Sequence, residues 1–172
     1  MDIRPAAETD IPEIQAIYAH HVLHGTGTFE DSPPSIEEMT ERFRQLTGST
    51  CPWLVAADAT GVLGYAYFTP WRSAPAYRFC AEDRIYVRDD VRGQGVGKAL
   101  VARLLEIAAG QGLREMIAFI GDAGNVGSIG VHTSLGFRHV GTLRGVGMKF
   151  DRWLDMVVMQ RALGAAEREP QD

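Results

Sequence analysis

A chain of 172 residues with 45% hydrophobic and 23% charged side chains is long enough to bury a core of its own. Its net charge of -5 excludes a global positive field for nucleic acid, while leaving room for a local basic site that holds a phosphorylated small molecule. No apolar run approaches the ~20 residues of a membrane span. Nothing at the N-terminus resembles a signal peptide, and Cys51 and Cys80 have neither the number nor the spacing of a zinc site or a disulfide framework. The expectation is a cytoplasmic protein with reduced thiols, built as one domain over 1–163 with a polar, frayed tail at 164–172.

"DIRPA" opens the chain as a short strand. "TDIPEIQAIYAHHVLHG" follows as a helix, with Thr9 or Asp10 as its cap and Ile11, Ile14, Ile17, Tyr18 and Val22 on one face. After the loop "GTGTFEDSPP", "SIEEMTERFRQL" reads as a second helix, in which Ser35 and Glu38 are spaced as a capping box. "WLVAAD", a turn at "ATG" and "VLGYAYFTP" give a hairpin, and "RFCAEDRIYV" gives one extended strand whose apolar pattern Glu82, Asp83 and Arg84 interrupt.

"KALVARLLEIAAGQG" is a helix with Leu100, Leu104 and Leu105 in its stripe, closed by Gly110 and Gly112. "EMIAFIG" is a buried central strand, "NVGSIGVHTSLG" a short helix, and the remainder to Leu163 a pair of strands. The order β-αα-βββ-α-β-α-ββ predicts a mixed sheet covered by helices.

The segment "YVRDDVRGQGVGKAL" runs from strand text through Gly93, Gly95 and Gly97 into a helix. Such a turn gathers backbone N–H groups and the positive end of a helix dipole at one point, where phosphate oxygens bind. Arg92 and Lys98 add charge that a merely tight turn would not need. A GxxxxGK[ST] nucleotide loop is excluded because Arg92 and Ala99 stand at its required positions, and the dinucleotide spacing GxGxxG fails at Lys98.

R-x-x-G-x-G does fit, from Arg92 to Gly97, and with it the chain resembles the GNAT superfamily of acetyl-CoA-dependent N-acetyltransferases. "NVGSIGVHTSLGFRHVG" is similar to a second signature of that superfamily, running from Asn125 to Phe137. "GTGTFEDSPPS", "FTPWRSAPAYRFCAED" and "KFDRWLDMVVMQRAL" resemble one branch, the phosphinothricin and methionine sulfoximine or sulfone acetyltransferases.

The resemblance implies the GNAT fold, an α/β (α+β) architecture with a twisted, mostly antiparallel mixed sheet of about seven strands flanked by helices. It implies acetyl-CoA as cosubstrate, no metal, and a homodimer. It implies a cofactor site formed by Ile85, Tyr86, Val87, Arg92, Gly93, Gln94, Gly95, Val96, Gly97 and Lys98, with Asn125 and Ser134 along the pantetheine or phosphoadenosine arm.

The chemistry asks for a base, because an amine attacks a thioester only with its lone pair free. Glu82 is the candidate, with a raised pKa expected from its apolar strand neighbours; the competing reading makes it a structural partner of Arg72, Arg78 or Arg84. A backbone N–H, that of Val87, is expected to polarise the carbonyl. His132 stands where relatives place a tyrosine, either as the acid for the departing thiolate or as a group that contacts coenzyme A or fills space.

Arg72 and Arg78 are the candidates for the acceptor's carboxylate, Phe29, Trp71 and Tyr77 for the pocket walls, and Glu30 for orienting polar groups. Asp83 and Arg84 complete the acceptor set, Arg84 standing where the branch usually has a small serine. The predicted activity is direct acetylation of the α-amino group of a small amino acid analogue. A peptide N-terminal acetyltransferase and a non-catalytic coenzyme A sensor are the alternatives.

Overall fold

The computed structural model describes residues 1–164, so the expected tail lies outside the described residues beyond Gly164. In chain order the elements are β1 (Asp2–Pro5), α1 (Ile11–His24), α2 (Ile36–Thr47), β2 (Trp53–Asp58), β3 (Gly61–Pro70), β4 (Cys80–Val87), α3 (Val96–Gly110), β5 (Glu115–Gly121), α4 (Val126–Ser134), β6 (Arg138–Lys149) and β7 (Arg152–Ala162). The strands form one seven-stranded sheet in the order β1-β2-β3-β4-β5-β7-β6, antiparallel everywhere except at β4 and β5. The expected order of elements and the mixed sheet are both present. No helix among the described residues is long and apolar enough to cross a membrane.

The strands bury both faces. On one side Leu100, Val101, Leu104 and Ala108 of α3 pack against Ala66, Phe68, Ala81, Met116 and Ala118. On the other, Ile14, Tyr18 and Val22 of α1 and Met39 and Phe43 of α2 cover Trp53, Val55, Tyr65 and Tyr86. The α2 capping box forms as expected, with Ser35 Oγ accepting from the Glu38 N–H at 3.1 Å and Glu38 Oε2 accepting from the Ser35 N–H at 2.7 Å.

The start of α1 differs from expectation. Asp10 takes the cap position without a capping bond, and its carboxylate accepts instead from the Ala7 N–H at 2.8 Å and from the two arms of Arg4 at 2.7 and 2.8 Å. A bidentate guanidinium on the neighbouring strand outcompetes a single helix N–H for that carboxylate.

One irregularity in the sheet sets up the site. β4 and β5 pair only over Cys80–Asp83 and Glu115–Ala118, and beyond these residues they part. Because the Arg88 N–H donates to Leu63 O, alternation along β4 turns the N–H and C=O of Ile85 and Val87 away from β3 and into the gap. By the same alternation, the Asp122 N–H bond to Asp155 O leaves the backbone groups of Phe119 and Gly121 facing the gap from β5.

The loop after α1 closes over the far end of β5. A Cβ on Gly121 would lie 2.6 Å from Thr26 O and 3.0 Å from the Phe29 ring, and one on Gly147 would run into that same ring. Glycine is required at both positions for Phe29 and its loop to seat. Gly121→Ala should therefore cost about 2 kcal/mol in chemical denaturation, because the clash is with backbone as well as a side chain. An unchanged midpoint would show that the loop is not tightly seated.

Candidate active site

The turn between β4 and α3 has the conformation that its glycines imply. Gly93 has φ +75° and Gly95 φ +84°, values at which any other residue is strained, while a Cβ at either would meet nothing. Backbone conformation, not crowding, requires glycine there. Gly97 is reserved by space: its Cβ would stand 3.1 Å from Ile85 Cδ1, where α3 crosses β4.

The Ala99 N–H donates to Gly95 O, 3.0 Å away, as the first turn of α3 begins, and no acidic side chain occupies that turn. The preceding N–H groups, with Lys98 among them, present positive potential to the solvent. Arg92 is held beside the turn by Asp89, with Nε 3.0 Å from Oδ1.

A cavity of about 1160 Å³ runs from this turn along the β4/β5 gap to α4 and the loop after α1. It is larger than most drug-sized pockets, as a long ligand requires. Ile85, Tyr86, Val87, Arg92, Gly93, Gly95, Val96, Gly97, Lys98, Asn125 and Ser134 all line it; Gln94 does not, and its amide turns toward Asp90 O at 3.5 Å. Asn125 also caps α4, its Oδ1 accepting from the Ser128 N–H at 3.2 Å.

His132 and Asp83 line the inner part of the cavity as a buried pair, with His132 Nε2 and Asp83 Oδ2 2.9 Å apart and side-chain exposures of 2% and 1%. His132 Nδ1 donates to Ser128 O at 2.7 Å, so both ring nitrogens are engaged. Burial alone would depress the imidazole pKa; the Asp83 carboxylate and the Ser128 carbonyl outweigh it and raise the pKa above the usual histidine value. Asp83 was expected among the acceptor-binding groups, but it points to the α4 side of the sheet, opposite its neighbours Glu82 and Arg84.

On that opposite side Arg84 donates to Glu82 Oε1 at 3.1 Å, the structural pairing weighed for Glu82 from sequence. Arg84 lines the cavity and Glu82 does not. Nor do Phe29, Glu30, Trp71, Arg72, Tyr77 and Arg78. Phe29 sits on Gly121 and Gly147, and Glu30 accepts from Arg42 at 2.9 Å. Trp71 meets Tyr77 edge-on and carries Arg72 over its face, while Arg78 donates to Pro75 O. These residues of the β3–β4 connection satisfy one another.

Sequence reasoning passed over several groups at the cavity. His21 donates from Nε2 to Val87 O at 2.9 Å, and burial lowers its pKa. Thr26 and Arg152 both donate to Asp122, each at 2.9 Å, and so fasten the loop to the end of β5. Lys149, only 3% exposed, donates to Gly25 O and Thr28 O, each at 2.9 Å. His21 stands on a helix face beside Val22, whereas Thr26 in a loop and Arg152 at the start of β7 carry no such pattern. Among the described residues no group of three His, Cys, Asp or Glu side chains could hold a metal ion.

With the parted strands, glycine turn and cavity in place, comparison with known proteins decides the family. Residues 14–137 match the acetyltransferase (GNAT) family. The chain belongs to it. This GNAT chain is 45% identical over 165 residues to phosphinothricin N-acetyltransferase of Alcaligenes faecalis, covering 96% of this chain and 84% of that one. It is 41% identical over 169 residues to an L-methionine sulfoximine/L-methionine sulfone acetyltransferase of Pseudomonas paraeruginosa, covering 98% of each. Among solved structures, a GNAT superfamily phosphinothricin acetyltransferase of Sinorhizobium meliloti in complex with AcCoA superposes with a TM-score of 0.91 at 44% identity, covering 95% of this chain and 88% of that one.

The raised His132 pKa fixes a sign. The charged pair stabilises the fold below the unfolded histidine pKa and loses that contribution as pH rises through the raised folded-state value. Asp83→Asn should cost about 3 kcal/mol in urea unfolding near about pH 6, and less near about pH 9. A deficit independent of pH would contradict the charged pair.

Proposed function

We propose that this GNAT enzyme transfers the acetyl group of acetyl-CoA to the α-amino group of a small amino acid analogue, of the phosphinothricin, methionine sulfoximine or methionine sulfone type. The reading is carried by one observation: the glycine turn and the stretch of β4 that no longer pairs with β5 open into a single cavity. An extended chain ending in a diphosphate matches both parts, the diphosphate at the N–H groups of the turn and the chain as a third strand in the gap.

In this reading Arg92 leaves Asp89 for the phosphates, and the N–H groups of Ile85 and Val87 face the pantetheine and the thioester. The Val87 N–H polarises the acetyl carbonyl as charge develops on its oxygen, and His21 holds the Val87 carbonyl on the next peptide, which anchors the end of β4 to α1. Glu82, whose carboxylate accepts from Arg84 at 3.1 Å, receives the ammonium proton. The amine attacks directly; Cys80, whose thiol burial and Glu115 push up to about 11, is no nucleophile. His132 serves as a positioning residue, because neither ring nitrogen is free to meet a thiolate.

The protein acts in the cytoplasm, consistent with its two unpaired thiols. It works as a homodimer through the β6–β7 edge, where Leu143, Val146, Met148, Phe150 and Trp153 are each 48–68% exposed. Trp153→Glu should convert a dimer to a monomer in sedimentation; a wild type that sediments as a monomer would refute this assembly.

Activity is tested by thiol release with phosphinothricin, methionine sulfoximine, methionine sulfone and an N-terminal peptide. Turnover of the amino acids is expected. Turnover of the peptide alone, or tight acetyl-CoA binding without thiol release from any amine, would reject the assignment. Glu82→Gln should lower kcat about 100-fold while leaving acetyl-CoA affinity intact; an unchanged kcat and pH profile would remove Glu82 from the mechanism.

A further inference from the structure

The arginines expected to bind the acceptor's carboxylate, Arg72 and Arg78, do not reach the cavity. Of the arginines that do, Arg92 belongs to the glycine turn and Arg152 is committed to Asp122. The third is Arg84, the first residue of β4 after its pairing with β5 ends at Asp83, and it therefore stands where the gap opens. Its guanidinium donates to Glu82 Oε1 at 3.1 Å and also interacts with the Tyr67 hydroxyl, and its side chain remains 46% exposed. Its cross-strand neighbour is Tyr67 of β3, whose ring supports the face it shares with Glu82.

We infer that the Arg84–Glu82 ion pair is the acceptor's docking site, with Arg84 taking the α-carboxylate and Glu82 the ammonium group of the incoming zwitterion. This rests on the acetyltransferase reading above. The complementarity is one of spacing and sign. An α-amino acid carries its ammonium nitrogen one bond from Cα and its carboxylate oxygens two bonds from it, about 3 Å apart, which is the spacing of a hydrogen-bonded ion pair.

Docked antiparallel on Arg84–Glu82, each charge of the zwitterion meets its opposite. The acceptor carboxylate draws the guanidinium off Glu82 Oε1, which frees that oxygen to accept from the ammonium group. The base is thus exposed only when a substrate with a free α-carboxylate is present. An amine, an amino acid amide or a peptide N-terminus lacks the group that releases it, so Arg84 selects free amino acids.

The test compares methionine sulfone, its α-amide and phosphinothricin as acceptors for the wild type, Arg84→Met and Arg84→Lys. Thermal unfolding and acetyl-CoA affinity serve as controls for folding. The wild type should prefer methionine sulfone over its amide at least tenfold in kcat/KM, chiefly through KM. Arg84→Met should erase that preference by raising KM for both free acids while leaving the amide unchanged or improved, and Arg84→Lys should restore part of it.

An acid-over-amide ratio that survives Arg84→Met overturns the inference while leaving the acetyltransferase reading intact. A loss confined to phosphinothricin would assign Arg84 to the side-chain acid and overturn it too. A wild type that acetylates none of the three would overturn both.

Discussion

The structure depends on a gap in its sheet. Backbone N–H and C=O groups inside a protein must find partners, and a central parallel pair of strands normally supplies them. Here β4 and β5 separate after Asp83 and Ala118, so the inward backbone groups of Ile85, Val87, Phe119 and Gly121 lose the partners that a continuous ladder would give. The cost of leaving them dry is met by making the gap a binding cavity, and the rest of the molecule keeps it open.

Several elements act as props. Gly97 lets α3 cross β4 closely enough to bring the glycine turn to one end of the gap. His21 ties Val87 to α1, while Lys149, Thr26 and Asp122 bind the loop after α1 across the other end. A buried lysine bonded to two carbonyl oxygens is an expensive way to hold a loop, and burial accordingly lowers its pKa. That expense fits a loop whose position matters. The two faces of β4 then divide the charged groups: Glu82 and Arg84 toward α1 and α2, Asp83 toward His132 on α4.

Much of this was legible in the sequence, for identifiable reasons. The helices of α2 and α3 follow from their apolar stripes and from Ser35 and Glu38, and the turn before α3 from Gly93 and Gly95, with Gly97 at the first turn of the helix. Charges interrupting β4 marked the site, because a charged residue on a buried strand must have a partner. Arg84 was among the partners the sequence offered for Glu82, whereas strand alternation places Asp83 on the opposite face and only the fold brings His132 to it. The aromatic and arginine residues of the β3–β4 connection, offered for the acceptor pocket, contact one another in the fold, with Trp71 edge-on to Tyr77 and Arg72 over the Trp71 ring. Asp10 stands at the cap of α1 as its position in the sequence offers, but its bond to Arg4 of β1 in place of a helix N–H depends on how the strand meets the helix.

The central claim is that the parted strands receive the pantetheine arm while the turn at 92–98 receives the diphosphate. A crystal structure with acetyl-CoA bound tests it most directly. The account predicts the diphosphate on the N–H groups at the start of α3 and the thioester carbonyl within hydrogen-bond distance of the Val87 N–H. A cofactor lodged away from the β4/β5 gap, or one whose thioester lies beyond reach of β4, would contradict it.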